Sequence, residues 1–222
     1  MRNARSALLV QLSRARQRGY LGPGDLELHI DHAMGFARAV EAELGCGVGP
    51  GSCTPGRRAV LDLGSGGGIP GLVLADLWPD SKFMLLDSNL RKTEFLISAV
   101  EACGMSGRVC VKRESAEVAG MTPELRASFD VVVARSFGRP ATTAECASPL
   151  IVHGGILVVS EPPPGDDDLD QDRWPDSGLA QLGMSPATSW RDTFGYQVIR
   201  QTSECPARFP RRVGVARKNP LF

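Results

Sequence analysis

A chain of 222 residues, 42% hydrophobic and 23% charged, has enough apolar side chain to build a core without disulfide staples, and its composition excludes collagen, coiled coil and intrinsic disorder. Net charge is zero, but residues 1–20 carry five arginines and no acid, residues 206–222 carry Arg208, Arg211, Arg212, Arg217 and Lys218 and no acid, and the middle holds twenty-five acidic against fifteen basic residues. Basic ends on an acidic body suit contact with a polyanion such as RNA, or serve as solvated tails.

In chain order, residues 3–18 place Leu8, Leu12 and Ala15 on one helical stripe, and Leu21 to Gly24 breaks the helix. A second helix fits 25–44, with Asp25 as N-cap and Ile30, Met34, Ala37, Val40 and Leu44 on its apolar face. Residues 45–56 form a glycine- and proline-rich connection. From Ala59 short apolar runs alternate with helical patterns. Strands are expected at 59–63, 82–87, 108–112, 129–134 and 155–160, with helices at 70–77, 90–102 and 141–150 and a weaker turn near 115–126. This is an α/β pattern: a doubly wound, mostly parallel sheet behind a short N-terminal helical lead. The aspartates after Pro164 read as a solvated loop, 194–202 as a late strand, and the end as a basic tail. Length favours one domain over 1–222, made of a lead and linker (1–56), a cofactor-binding core (57–161) and a loop, strand and tail (162–222).

The longest uncharged run, Cys146 to Ser160, is broken by Pro149, Gly154 and Gly155, so no membrane span is expected; Ala7 to Val10 is too short for a secretory signal. A cytoplasmic chain is expected. The six cysteines show no C-x-x-C pair and read as reduced and structural. His29 and His32 stand three apart without further ligands, and no metal site is expected.

The decisive stretch is Ala59 to Gly71, where a buried strand enters a glycine turn and then a helix. Glycines permit positive φ and let a ligand approach bare backbone, and Pro70 suits a first helical turn. Gly66, Gly68 and Gly71 satisfy the dinucleotide pattern G-x-G-x-x-G, whereas Gly64, Gly66 and Gly68 give G-x-G-x-G. Asp62, two residues before the first glycine, favours the second reading: a carboxylate there repels a pyrophosphate and attracts the ammonium and sulfonium of S-adenosyl-L-methionine. The dehydrogenase reading also lacks a Y-x-x-x-K, since Arg200 follows Tyr196 at that spacing.

Asp87 ends the second strand, the place from which an acid reaches ribose hydroxyls, and it can also serve as an N-cap. Ala116 and Glu117 follow the third strand, where an adenine would be bracketed. Arg135 ends the fourth strand, at the crevice where a methyl group would be delivered. No Asn/Asp-Pro-Pro-aromatic turn and no Pro-Cys turn occurs, so transfer to an already nucleophilic atom is expected, with no assignable general base.

With these residues in view, the chain resembles the small-subunit ribosomal RNA guanine-N7 methyltransferases, the glucose-inhibited division protein B family. The likeness rests on Leu61 to Gly71 with its Ile69-Pro70-Gly71 ending, Leu85 to Ser88 followed by Arg91-Lys92 and Phe95-Leu96, and Ala116-Glu117. It extends to Phe129 to Ser136, Pro149-Leu150 with Gly154-Gly155, Phe209 to Arg212, and Lys218 to Leu221, and more weakly to His29-Ile30. The lead is shorter than that family's, and Ser160-Glu161-Pro162 stands where the family tends to place a lysine-glycine pair. The resemblance implies cofactor contacts at Gly64, Ile69, Ala116, Glu117 and Arg135, S-adenosyl-L-methionine as cofactor, and ribosomal RNA or the small ribosomal subunit as partner. The alternatives are a paralogue acting on a small molecule or protein, and a cofactor-binding module without catalysis.

Overall fold

The computed structural model describes residues 2–44, 57–163, 172–191 and 193–222, so Cys46, Cys53 and Asp166 to Asp170 lie outside the described residues. Seven strands form one sheet in the order β3-β2-β1-β4-β5-β7-β6. They are β1 (Ala59–Leu63), β2 (Lys82–Asp87), β3 (Val109–Arg113), β4 (Phe129–Ala134), β5 (Ile151–Glu161), β6 (Met184–Arg191) and β7 (Gly195–Gln201). Strands β1 to β5 pair in parallel, and β7 runs antiparallel between β5 and β6. The chain winds outward from β1 to β3, then returns to β4 beside β1, which creates a topological switch point where open α/β sheets bind ligands.

The period of two along the strands sorts side chains onto two faces. Val60, Val131 and Val133 pack with α1 (Arg2–Gln17), α2 (Leu26–Leu44), α3 (Gly71–Leu77) and α4 (Leu90–Ala102). Leu61, Leu63, Val132 and Ala134 pack with α5 (Ala116–Met121), α6 (Pro140–Ala147), α7 (Asp176–Ala180) and α8 (Val215–Lys218). Strands buried on both faces read as the near-continuous apolar runs seen in the sequence.

The lead forms as expected: Leu8, Leu12 and Ala15 are buried, and the Asp25 carboxylate accepts from the Leu28 N–H at 2.9 Å as the cap of α2. The buried face of α2 only partly matches the expected stripe: Ala37 and Val40 are buried as expected, but His29, Ala33 and Phe36 are buried with them, while Ile30, Met34 and Leu44 are only partly covered. The expected helix at 141–150 ends at Ala147 and continues as a 3-10 turn, Ser148–Leu150. β6 was not legible, because Ser185, Pro186, Thr188 and Ser189 lack apolar alternation; it is an edge strand, with a register shift after Pro186, where a missing N–H is tolerated.

The C-terminal segment departs most from expectation: it is packed, not a solvated tail. Glu145 is 0% exposed and accepts from the Arg211 main-chain N–H and Nε, both at 2.9 Å, and from its Nη2 at 2.6 Å. Arg126 donates to the carbonyls of Phe209 and Cys205 at 2.7 and 2.8 Å. Arg208, Arg212, Arg217 and Lys218 remain exposed. Among the described residues no helix is long and apolar enough to cross a membrane.

Removing one partner from a buried ion pair strands the other charge. Arg211→Met is therefore expected to destabilise the fold by about 3 kcal/mol in urea denaturation. An unchanged midpoint would show that the tail is not held by this pair.

Candidate cofactor and acceptor site

The turn after β1 is tied chiefly to the ends of β1 and β2, with one hydrogen bond of its own. The Gly64 and Ser65 N–H groups donate to the Leu86 carbonyl at 2.8 and 3.0 Å, and Gly68 N–H donates to the Ser65 carbonyl at 2.8 Å. Gly66 N–H donates to Asp87 Oδ2 at 2.8 Å, and Gly71 N–H donates to Asp62 Oδ2 at 2.9 Å. Gly64 has φ +77°, and a Cβ there would lie 2.7 Å from the Phe137 ring, so only glycine fits. On the outer side, a Cβ on Gly67 would meet the Leu21 side chain and the Tyr20 carbonyl: the lead lies directly across the turn.

Asp62 is not where the sequence reading put it. It is 1% exposed and, as the residue between Leu61 and Leu63, points to the α3 face of the sheet instead of into the crevice. Burial raises its pKa from 3.8 to about 7, against the Gly71 N–H and the Ser65 hydroxyl, which favour the anion. Its direct attraction for a cationic ligand is thus replaced by a structural task, fastening the turn to α3. Ile69 is likewise turned into the core, 5% exposed.

A cavity of about 310 Å³ opens at the ends of β1, β2 and β3. Gly64, Asp87, Ala116 and Glu117 line it, together with Lys92 and Ser115, which the sequence reading did not single out. Asp87 also accepts from Asn89 N–H at 2.8 Å, while Asn89 itself caps α4 by accepting from Lys92 N–H, so Asp87 is not the N-cap. Glu117 accepts from the Gly214 N–H at 2.9 Å, which ties the cavity wall to the C-terminal segment. Gly66 and Gly68 shape the turn behind the cavity without lining it.

Arg135 stands apart from this group. It lines a second cavity of about 630 Å³ at the ends of β4, β5 and β7, with His29, His32, Phe137 and Phe194. Its Nη2 donates to His29 Nδ1 at 2.8 Å, and His29 Nε2 donates to the Gly22 carbonyl at 3.1 Å. A guanidinium only donates and a carbonyl only accepts, so His29 is the neutral Nε2–H tautomer. Burial, with the nearby guanidinium, holds its pKa below the usual imidazole range despite the Gly22 carbonyl. Ser136 and Phe137 line both cavities, and Ser136 has φ +52°, a left-handed conformation uncommon for a non-glycine residue.

A pyrophosphate is held by free main-chain donors at such a turn. Here the donors of Gly64, Ser65, Gly66, Gly68 and Gly71 are spent internally, two of them on carboxylates, so the turn fits a dinucleotide poorly. A nucleoside with hydroxyls facing Asp87 and an uncharged or cationic tail fits it. The family model for rRNA small subunit methyltransferase G matches residues 49–169. The chain belongs to this family.

A ribosomal RNA small subunit methyltransferase G of Prochlorococcus marinus is 37% identical over 168 residues, covering 74% of this chain and 68% of the relative. One from Syntrophomonas wolfei is 31% identical over 209 residues, covering 90% and 87%. Among solved structures, the antibiotic-resistance methyltransferase Kmr superposes with TM-score 0.51 at 17% identity, covering 73% of this chain and 92% of that one. The cyclase SpnF reaches 0.51 at 16%, covering 66% and 76%. A cyclase among such neighbours shows that the fold alone does not fix the reaction. Family membership makes the chain an S-adenosyl-L-methionine-dependent methyltransferase, and the cavity at Gly64, Asp87 and Ala116 suits that cofactor.

Because Asp62 takes up a proton on folding between pH 4 and 7, its burial lowers stability as pH rises through that window, and the effect levels off above about 7. Asp62→Asn is expected to gain stability relative to the parent chain between pH 4.5 and 7.5, measured by urea denaturation at both pH values. A difference independent of pH would contradict a buried carboxyl there.

Proposed function

We propose that the chain methylates N7 of a guanine in small-subunit ribosomal RNA, acting in the cytoplasm, with residues 1–222 working as one catalytic unit. The observation that carries the reading is the pair of cavities that meet at Ser136 and Phe137, one suited to the methyl donor and one open beside it. The relatives' name supplies the ribosomal RNA.

In this reading Asp87 accepts from ribose hydroxyls with the lone pairs left over from its Gly66 and Asn89 contacts, and Ala116 gives the adenine an apolar seat. The bound cofactor supplies an electrophilic methyl on a sulfonium. Guanine N7 carries a lone pair and no proton, so the chain needs to orient and enclose, not to remove a proton. With the cofactor held there, the N7 lone pair would form the new bond while the electron pair of the methyl–sulfur bond stayed with sulfur, and positive charge would pass to the purine. Arg14 and Arg16 on the exposed side of α1 and Arg18 just after it, with Arg208, Arg212, Arg217 and Lys218, supply cationic surface for phosphate.

The test is methyl transfer from labelled S-adenosyl-L-methionine to 30S subunits from a strain lacking the enzyme, followed by digestion to nucleosides. The reading expects label in 7-methylguanosine, and RNA binding that weakens steeply with salt. Label in protein, or in another nucleoside, would overturn it.

A further inference from the structure

Glu117 belongs to two parts of the molecule at once. It follows Ala116 in the wall of the smaller cavity, and its Oε1 accepts from the Gly214 N–H at 2.9 Å. A carboxylate accepts through both oxygens. Oε2 has no hydrogen-bond partner among the described residues, so it stays available to a donor inside the cavity. An adenine seated on Ala116 carries such a donor in its exocyclic amine.

The segment that supplies the Gly214 N–H is a loop closed by one side chain. Arg211, committed to the buried Glu145, also donates from Nη2 to the Asn219 carbonyl at 2.8 Å, so residues 212–218 leave and return at the same guanidinium. Between those ends two hydrogen bonds tie the loop to the body: Gly214 N–H to Glu117, and Thr142 Oγ1 to the Ala216 carbonyl at 3.1 Å. Gly214 has φ +81°, a conformation that favours glycine and turns its N–H to the carboxylate. An N–H donating to an ionised acceptor makes a stronger bond than one to a carbonyl, so the loop's position follows that of Glu117. Arg212, Arg217 and Lys218 on this loop are exposed, and none forms an ion pair among the described residues.

We propose that Glu117 couples the two ligands of the reaction: a cofactor bound against it fixes the loop of residues 212–218, and RNA phosphates then engage Arg212, Arg217 and Lys218 more tightly. This rests on the reading of the smaller cavity as the cofactor's and of the chain as a ribosomal RNA methyltransferase. In the empty cavity the Glu117 carboxylate is free to turn to solvent and let go of Gly214. With a donor on Oε2, turning away breaks two hydrogen bonds instead of one, so the tie to Gly214 is made more of the time. A loop already ordered gives up less conformational entropy when phosphates take hold of it. Coupling of this kind is reciprocal, so RNA on the loop tightens the cofactor by the same factor. The chain loaded with methyl donor is thus the form that grips RNA.

The experiment measures filter binding of 30S subunits that lack the methyl group, with and without saturating S-adenosylhomocysteine, which cannot react and carries no net charge. The parent chain is expected to bind the subunits at least about fivefold more tightly with S-adenosylhomocysteine present. Equilibrium dialysis is expected to show the same factor in reverse, on S-adenosylhomocysteine. Glu117→Gln keeps one acceptor oxygen and replaces the other with a donor, so it is expected to bind both ligands with a factor within twofold of one. Arg217→Ser combined with Lys218→Ser is expected to weaken subunit binding and to lose most of the gain. Hydrogen exchange of the 214–219 amides is expected to slow at least about fivefold on adding S-adenosylhomocysteine to the parent, and to stay unchanged in Glu117→Gln. A parent whose subunit affinity ignores S-adenosylhomocysteine, or a full gain retained in either variant, would overturn the inference while leaving the methyltransferase reading in place. A parent that binds neither S-adenosylhomocysteine nor the subunits would overturn both.

Discussion

Two carboxylates at the C-terminal edge of the sheet hold the main chain of the glycine turn, and the rest of the site depends on that grip. Asp62 takes the Gly71 N–H from beneath α3, and Asp87 takes the Gly66 N–H from the end of β2. With its two ends fixed and the N–H groups of Gly64, Ser65 and Gly68 also paired within the protein, the turn offers few main-chain donors to a ligand. This is the opposite of a phosphate cradle, which works by leaving N–H groups free. Cofactor class is therefore decided by where the turn's hydrogen bonds go, and much less by the count of glycines.

The same constraint explains which parts were legible in the sequence. The strands from Ala59 to Leu63 and from Phe129 to Ala134 are apolar runs with both faces buried, and the Gly64 to Gly68 turn stands between a strand and a helix, so the parallel sheet and the location of the site could be read directly. The role of Asp62 could not. Its charge suggested a ligand, but its position between Leu61 and Leu63 sends it to the helix face, and only the strand's alternation combined with the packing of α3 reveals that. The partner of His29 was also hidden, because a pair of histidines on a helix does not reveal that β4 brings Arg135 to within 2.8 Å of the first across more than a hundred residues. β6 escaped because an edge strand needs no apolar alternation.

Charge at the chain ends has two uses. Arg211 is consumed by the buried Glu145 and holds the C-terminal segment against α6, and that segment supplies the Gly214 N–H that fixes Glu117 in the wall of the smaller cavity. The remaining cations stay at the surface. At the other end, α1 buries its leucines and exposes its arginines while the turn after it closes over Gly67. Both basic ends thus serve the site structurally before any RNA is considered, and composition alone does not separate these tasks.

The most direct test of the account is calorimetric titration of S-adenosyl-L-methionine and of NAD into the parent chain and into Asp87→Ala. The account expects S-adenosyl-L-methionine alone to bind the parent, and its affinity to fall by at least about tenfold in the variant while the fold is retained, because both the turn and the ribose acceptor are lost. NAD binding to the parent, or undiminished S-adenosyl-L-methionine binding to the variant, would contradict it.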